Sequence, residues 1–297
     1  MANLNPLQLQ EIADQIRRGR CVPFLGAAAN ITSTKRKYNG LRLGYEVSEA
    51  LAANLKPSPK DKKNLPRTSL LFERTVRRAA LLKHLKQLLP DRERTPSPLL
   101  AILSALPFDL YITTNYDRLL ERALSDRQPY VVVQTDQGVE GRADLDEWSA
   151  APLETRRPLI YKIHGTFLDE KDEVDRSPLI VTEDDYISLL TILRSPEHGV
   201  PPLVTSRLAR NTLLFLGYSL EDWDFRAIYK VLVDSHPDKR FMPGSYSVQK
   251  APPKFWMDFW REKGVEILDE DVYAFAEELG RAYFGPHWKP PEVPGGA

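Results

Sequence analysis

Apolar residues in this chain fall into two patterns. Short unbroken runs occur at Cys21 to Leu25, Leu110 to Thr113, Tyr130 to Gln134, at the start of LIYKIHGT (159–166), and in TLLFL before Gly217. Each run ends in glycine or in small polar residues. Consecutive apolar residues mark strands buried on both faces, as in a parallel sheet covered by helices. The second pattern spaces apolar residues three and four apart and predicts helices over Leu7 to Ile16, Tyr45 to Leu55, Ser69 to Leu89 and Asp117 to Leu124. VTEDDYISLLTIL predicts a further helix with Thr182 at its N-cap and acids in its first turn. LEDWDFRAIYKVLV and Asp271 to Leu279 also read as helices, and Tyr246 to Val248 and Val265 to Ile267 as strands.

Strands alternating with helices predict an α/β chain with a doubly wound, Rossmann-like, mostly parallel sheet. A single domain is expected over 1–297, with a helical insertion at 56–94 and a flexible tail at 289–297. GAAAN after Leu25 reads as a strand turning directly into a helix, and KPSPKDKKNLP (56–66) as an exposed loop. The polar, acid-rich stretch 135–157 is long enough to be a functional loop or lid, and LDEKDEVDRS (168–177) reads as an acidic turn.

Composition narrows the class. The 297 residues carry 41 basic and 41 acidic side chains, so no global charge draws the chain to nucleic acid or to an anionic membrane. Residues 56–94 hold twelve Lys and Arg against four Asp and Glu. That run is either a solvated face or a contact with nucleic acid or a partner, and the lack of interleaved aromatics weighs against direct, sequence-specific nucleic-acid binding. Cys21 is the one cysteine, which excludes a disulfide framework and any multi-cysteine zinc site within the chain. With no signal peptide and no apolar run of roughly 20 residues, a cytoplasmic protein without membrane contact is expected. The 24 prolines point to many loops.

In a doubly wound sheet, ligands bind beyond the carboxyl ends of the strands. Four segments put small or polar residues there: Gly26-Ala27-Ala28, Thr114-Asn115, His164-Gly165 and Gly217-Tyr218-Ser219. Gly26 and its small neighbours suit a dinucleotide diphosphate, which could approach free backbone N–H groups, or else serve close helix-to-strand packing. No G-x-G-x-x-G and no G-x-x-x-x-G-K-[ST] occurs, so neither a dehydrogenase fingerprint nor a nucleotide-triphosphate loop is supported. Asn115 could grip a ribose hydroxyl, position a water, or simply tolerate a turn. Asp117 reads as support for that turn. His164 is either a strand-end structural histidine or a general base at neutral pH.

Taken together, GAAAN (26–30), TTNYD (113–117), IHG (163–165) and GYSLEDWDF (217–225) resemble, in this order, the NAD-binding core of the sirtuin superfamily. The likeness is greatest to its bacterial sirtuin-like branch associated with NAD hydrolysis in antiphage defence, and it covers roughly residues 10–235. The resemblance implies that Gly26, Ala27, Ala28, Asn30, Thr114, Asp117, Gly217, Tyr218 and Ser219 surround the dinucleotide. It makes Asn115 and His164 the catalytic pair. Two features depart from the family. Ala28 stands where a second glycine is common, which would strain the loop if that backbone needs positive φ. The four zinc-binding cysteines of sirtuin deacylases are also missing. No metal is then expected, and deacylation becomes less favoured than hydrolysis of NAD to nicotinamide and ADP-ribose, with NAD as substrate. A non-catalytic module sensing NAD or ADP-ribose, and an NAD-dependent protein deacylase, remain the alternatives. An enzyme that drains NAD is expected to rest latent and to be activated by homo-oligomer assembly or by a partner. The resemblance suggests a hexameric DNA-translocating ATPase or a short Argonaute-type protein. FWMDFW (255–260) and YFGPHW (283–288) would supply an oligomer interface or pack the C-terminal helix onto the core.

Overall fold

The computed structural model describes residues 5–35, 37–53, 55, 61–152, 155–168, 176–234 and 243–291. The first half of the chain forms α1 (Pro6–Arg17), β1 (Cys21–Leu25), α2 (Gly44–Ala52), α3 (Leu65–Val76), α4 (Arg78–Leu88), α5 (Pro98–Ala105), β2 (Leu110–Thr113) and α6 (Leu119–Ala123). There follow β3 (Tyr130–Thr135), β4 (Gly138–Glu140), α7 (Arg142–Ala150), β5 (Leu159–Lys162), α8 (Glu183–Ile192) and α9 (Pro202–Arg210). The chain closes with β6 (Thr212–Leu216), α10 (Trp223–Tyr229), β7 (Ser245–Gln249), α11 (Lys254–Arg261), β8 (Val265–Asp269) and α12 (Val272–Phe284).

All eight strands join one sheet in the order β4-β3-β5-β2-β1-β6-β7-β8. Every pairing is parallel except that of β3 with β4. The strand pleat divides the core. Cys21 and Leu25 of β1 face Ile12 and Ile16 of α1, Leu99 and Leu103 of α5, and Phe275 and Leu279 of α12. Val22 and Phe24 face Trp148, Leu189, Leu208, Phe225 and Trp260 on the other side. Both faces of the strand are dry, which is why its sequence is apolar without alternation. β1 has β2 on one side and β6 on the other, and the chain fills the β2 side, which runs outward as β2, β5, β3 and β4, before crossing back to β6. Reversal beside β1 opens a crevice at the carboxyl ends of β1 and β6, where doubly wound sheets bind ligands.

Several elements differ from the sequence pattern. After Gly26 there is no long helix but a single 3₁₀ turn, Ala27–Asn30, and helix resumes only at Gly44. Tertiary bonds override alanine's helix preference: Ala28 N–H donates to Gly217 O at 3.0 Å, and Ser97 Oγ donates to Ala29 O at 2.6 Å. The predicted helix over Ser69 to Leu89 is two helices, broken at Arg77 with φ +84°. Their Phe72, Leu81, Leu82 and Leu85 enter the same core as α1 and α12. Their arginines face the acidic first turn of α8, pairing Arg67 with Glu183 at 3.2 Å, Arg74 with Asp184 at 3.9 Å, and Arg78 with Asp185 at 2.8 Å. Three of the insert's cations are thereby matched by α8, Arg78 and Asp185 being the most enclosed of these pairs.

Residues 135–157 are not an irregular loop. They contain β4 and α7, and Trp148 of α7 is fully buried, its Nε1 donating to Asp109 O at 3.2 Å. Helices α5 and α9 begin with proline at their first turn, and Ser97 caps α5 by accepting from Leu100 N–H. Thr182 caps α8 as its sequence predicts, in a reciprocal box with Asp185. In FWMDFW, Trp260 is buried and donates to Leu220 O at 3.0 Å, while Phe255 is exposed. Trp288 lies directly over Gly280. Most of the 168–177 turn and residues 292–297 of the tail lie outside the described residues. Among the described residues no helix is long and apolar enough to cross a membrane.

Candidate functional site

The site is built on a seam between two glycine turns. Gly26 N–H donates to Leu216 O at 2.9 Å. A methyl on Gly26 would stand 2.5 Å from Gly217 O, and one on Gly217 would stand 2.3 Å from Ala29 N. Gly217 also has φ +79°, a backbone that side chains oppose. Ala28 does not share that need: its φ is not positive, so alanine in the family's second glycine position carries no strain.

The turn after β2 is pinned to this seam. Thr113 Oγ1 donates to Leu25 O at 3.0 Å and accepts Asn115 N–H at 3.0 Å. Tyr218 OH donates to Leu25 O at 3.0 Å and lies 2.7 Å from Thr114 Oγ1, which is then the donor of that pair. The Asn115 amide donates to Gly26 O at 3.0 Å, leaving its carbonyl oxygen and second amide hydrogen for a ligand.

Beneath the turn lies a buried polar network. Asp117 Oδ1 accepts Leu119 N–H at 3.0 Å and the Asn30 amide at 3.3 Å. Burial pushes the Asp117 carboxyl up to about 6, against the opposing pull of the Lys162 ammonium. Lys162 is wholly enclosed, donating to Asp117 O at 2.5 Å and Glu121 Oε1 at 2.9 Å. It therefore ties the end of β5, which leads into His164, to the turn that carries Asn115.

His164 occupies a drier place. Its side chain is buried, and burial pushes the imidazole down to about 3, so the ring is neutral at physiological pH. Nδ1 is 3.4 Å from the Tyr186 hydroxyl, whereas Nε2 is buried with no hydrogen-bond partner. Gly165 makes the turn with φ +80° and passes so close to Pro178 O that a methyl there would stand 1.6 Å away. Ile180 N–H donates to His164 O at 3.0 Å and fastens the following segment.

These groups open on one cavity of about 700 Å³. Of the residues singled out in sequence, Ala27, Ala28, Thr114, Asn115, Asp117, His164, Gly217, Tyr218 and Ser219 line it. Gly26 and Asn30 do not; Gly26 forms the seam behind the wall, and buried Asn30 braces Asp117. Arg42, Tyr45 and Tyr186 also line it and were not singled out, as do Lys63 of the basic run and Trp223 of GYSLEDWDF, to which no role at this site was given. Lys162 did leave a signal, a charge inside an apolar run. Tyr186 left none, because its role depends on where α8 packs. No described residue of 135–157 borders this cavity; 135–140 border a separate hollow beside Pro178.

A family model described as the SIR2-like domain matches residues 109–268. A protein named NAD(+) hydrolase ThsA from Cytobacillus dafuensis is 31% identical over 129 residues, 43% of this chain and 22% of that protein. Another of the same name from Acinetobacter baumannii is 31% identical over 135 residues, 43% of this chain and 23% of that protein. Defense-associated sirtuin 2 of Bacillus subtilis is 23% identical over 265 residues, 88% of this chain and 24% of its own length. The chain thus spans about a quarter of the length of these curated relatives. A solved structure described as a Sir2 mutant with a p53 peptide and NAD aligns with TM-score 0.44 and 15% identity, over 91% of this chain and 96% of that one.

Proposed function

We propose, on the premise that this chain belongs to the SIR2-like domain family, that its site hydrolyses NAD⁺ to nicotinamide and ADP-ribose as a latent effector of antiphage defence. The observation that carries the reading is the convergence of Asn115 and a neutral His164, whose Nε2 has no hydrogen-bond partner, on one cavity at the β1/β6 crevice. The names of the relatives supply the substrate class.

In this reaction the bond from the ribose C1′ to the nicotinamide nitrogen breaks. Its electron pair leaves with a neutral nicotinamide, and positive charge builds on the ribose. Asn115 holds the ribose or the incoming water through the amide hydrogen and carbonyl that Gly26 leaves free. Water bonds to C1′ and its proton, or that of a polarised ribose hydroxyl, passes to His164 Nε2. The diphosphate would lie along Ala27, Ala28 and Gly217, the small residues of the two turns that line the cavity. Latency is part of the proposal, with assembly or a partner protein as the trigger.

The test follows nicotinamide release from NAD over a range of protein concentrations. Asn115→Ala and His164→Ala are each expected to lower kcat by about 10²-fold or more, the scale of a lost acid–base or positioning group. Variants that turn over NAD at the wild-type rate would overturn the assigned roles, and ligand binding without turnover in any assembled state would favour a sensing module.

A further inference from the structure

His164 needs more than position to accept a proton, and this inference rests on the role proposed for it above. A neutral imidazole carries one N–H and one lone pair, and the partner of one nitrogen decides which nitrogen holds the proton. Here the two nitrogens have unequal surroundings. Nδ1 has the Tyr186 hydroxyl at 3.4 Å, and Nε2 has no partner. A proton on Nε2 would strand a buried N–H donor, the costlier kind of unsatisfied group. A proton on Nδ1 donates to Tyr186 and leaves the Nε2 lone pair unpaired until a ligand supplies a hydrogen.

Tyr186 is held where this requires it. Its ring stands edge-on to His164, centroids 5.0 Å apart at 85°, and packs against Trp223 at 5.8 Å on α10. It is buried, one residue after Asp185, which caps α8 and is paired with Arg78 at 2.8 Å. Both rings line the same cavity as His164. We propose that Tyr186 is a positioning residue: its hydroxyl accepts the Nδ1 proton, fixing the tautomer in which Nε2 is the base presented to substrate.

Histidine-selective ¹⁵N labelling and long-range ¹H–¹⁵N correlation spectra report the tautomer directly. The chain has five histidines, and a His164→Gln protein identifies the signal. The wild type is expected to show the Nδ1–H form. Tyr186→Phe keeps the aromatic packing and is expected to move His164 toward the Nε2–H form, with the other histidine signals unchanged. In an active preparation kcat should fall about 10- to 100-fold, the scale of losing a partner that orients a catalytic imidazole, with KM for NAD within about twofold of wild type. An Nε2–H tautomer in the wild type, or a tautomer unmoved by Tyr186→Phe, overturns the proposal. The spectra decide this even where no NAD is hydrolysed, so the two readings fail separately.

Discussion

The two halves of the site are built on opposite principles. On the Asn115 side nearly every polar group is answered: Thr113, Thr114, Tyr218 and the Asn115 amide all bond to one another or to the backbone of β1 and Gly26. On the His164 side a neutral ring has one long hydrogen bond at 3.4 Å and a bare nitrogen. A densely bonded network fixes geometry before any ligand arrives, whereas an unsatisfied buried nitrogen lowers its free energy only when a ligand pairs with it. Rigidity and reactivity are thus assigned to different strand ends. Lys162 joins the two halves mechanically while touching neither reacting group.

That contrast can be broken at several points. Gly165→Ala is expected to have the largest effect, because the added methyl would meet Pro178 O in a backbone with φ +80°. It should cost about 3 kcal/mol or more, or prevent folding, as measured by urea denaturation. Lys162→Met leaves Glu121 buried without its cation and should cost about 3–5 kcal/mol. The double variant Lys162→Met with Glu121→Leu should recover much of that loss in the same assay, and failure to recover would show that the ammonium's bond to Asp117 O dominates.

The most gradual effect is in pH dependence, where each step in pH changes stability less than either substitution above. Below about pH 6.5 the unfolded chain protonates its histidines, while folded His164 stays neutral down to about 3. Stability therefore falls as pH drops through that window, with a slope of up to about 1.4 kcal/mol per pH unit from this group. His164→Gln should remove that slope. Asp117 acts in the opposite sense: its folded pKa of about 6 exceeds the ordinary 3.8 of an aspartate, so between these values acidification favours the folded state. Asp117→Asn should steepen the acid fall that His164→Gln flattens, as thermal melts across pH would record.

Strand ends were the most legible part of the sequence, because a strand buried on both faces cannot conceal its apolar run. Cys21 to Leu25 and Leu110 to Thr113 appear in the structure with the bounds their pattern predicts. Elements whose bonding partners are distant in sequence were harder to read. GAAAN has helical composition, but Gly217 O and Ser97 Oγ hold its backbone as a 3₁₀ turn. Helix α7 hides its apolar face in two residues, Leu145 and Trp148, within a polar stretch. Asn115 and His164 were legible as strand-end residues. Asn30 looked like a ligand contact, yet its amide serves Asp117 from behind the wall. Tyr186 could not be read at all, since the packing of α8 alone brings it to His164.

The seam between Gly26 and Gly217 also limits how this protein can change over generations. Each glycine is denied a side chain by the backbone of the other turn: Gly26 by Gly217 O, and Gly217 by Ala29 N. Replacing one therefore opens no room for replacing the other, and each single step puts a methyl group within 2.5 Å of the opposite backbone. Loops farther from the seam are free to lengthen or drift. The two turns themselves can be altered only together, by moving both strand ends at once.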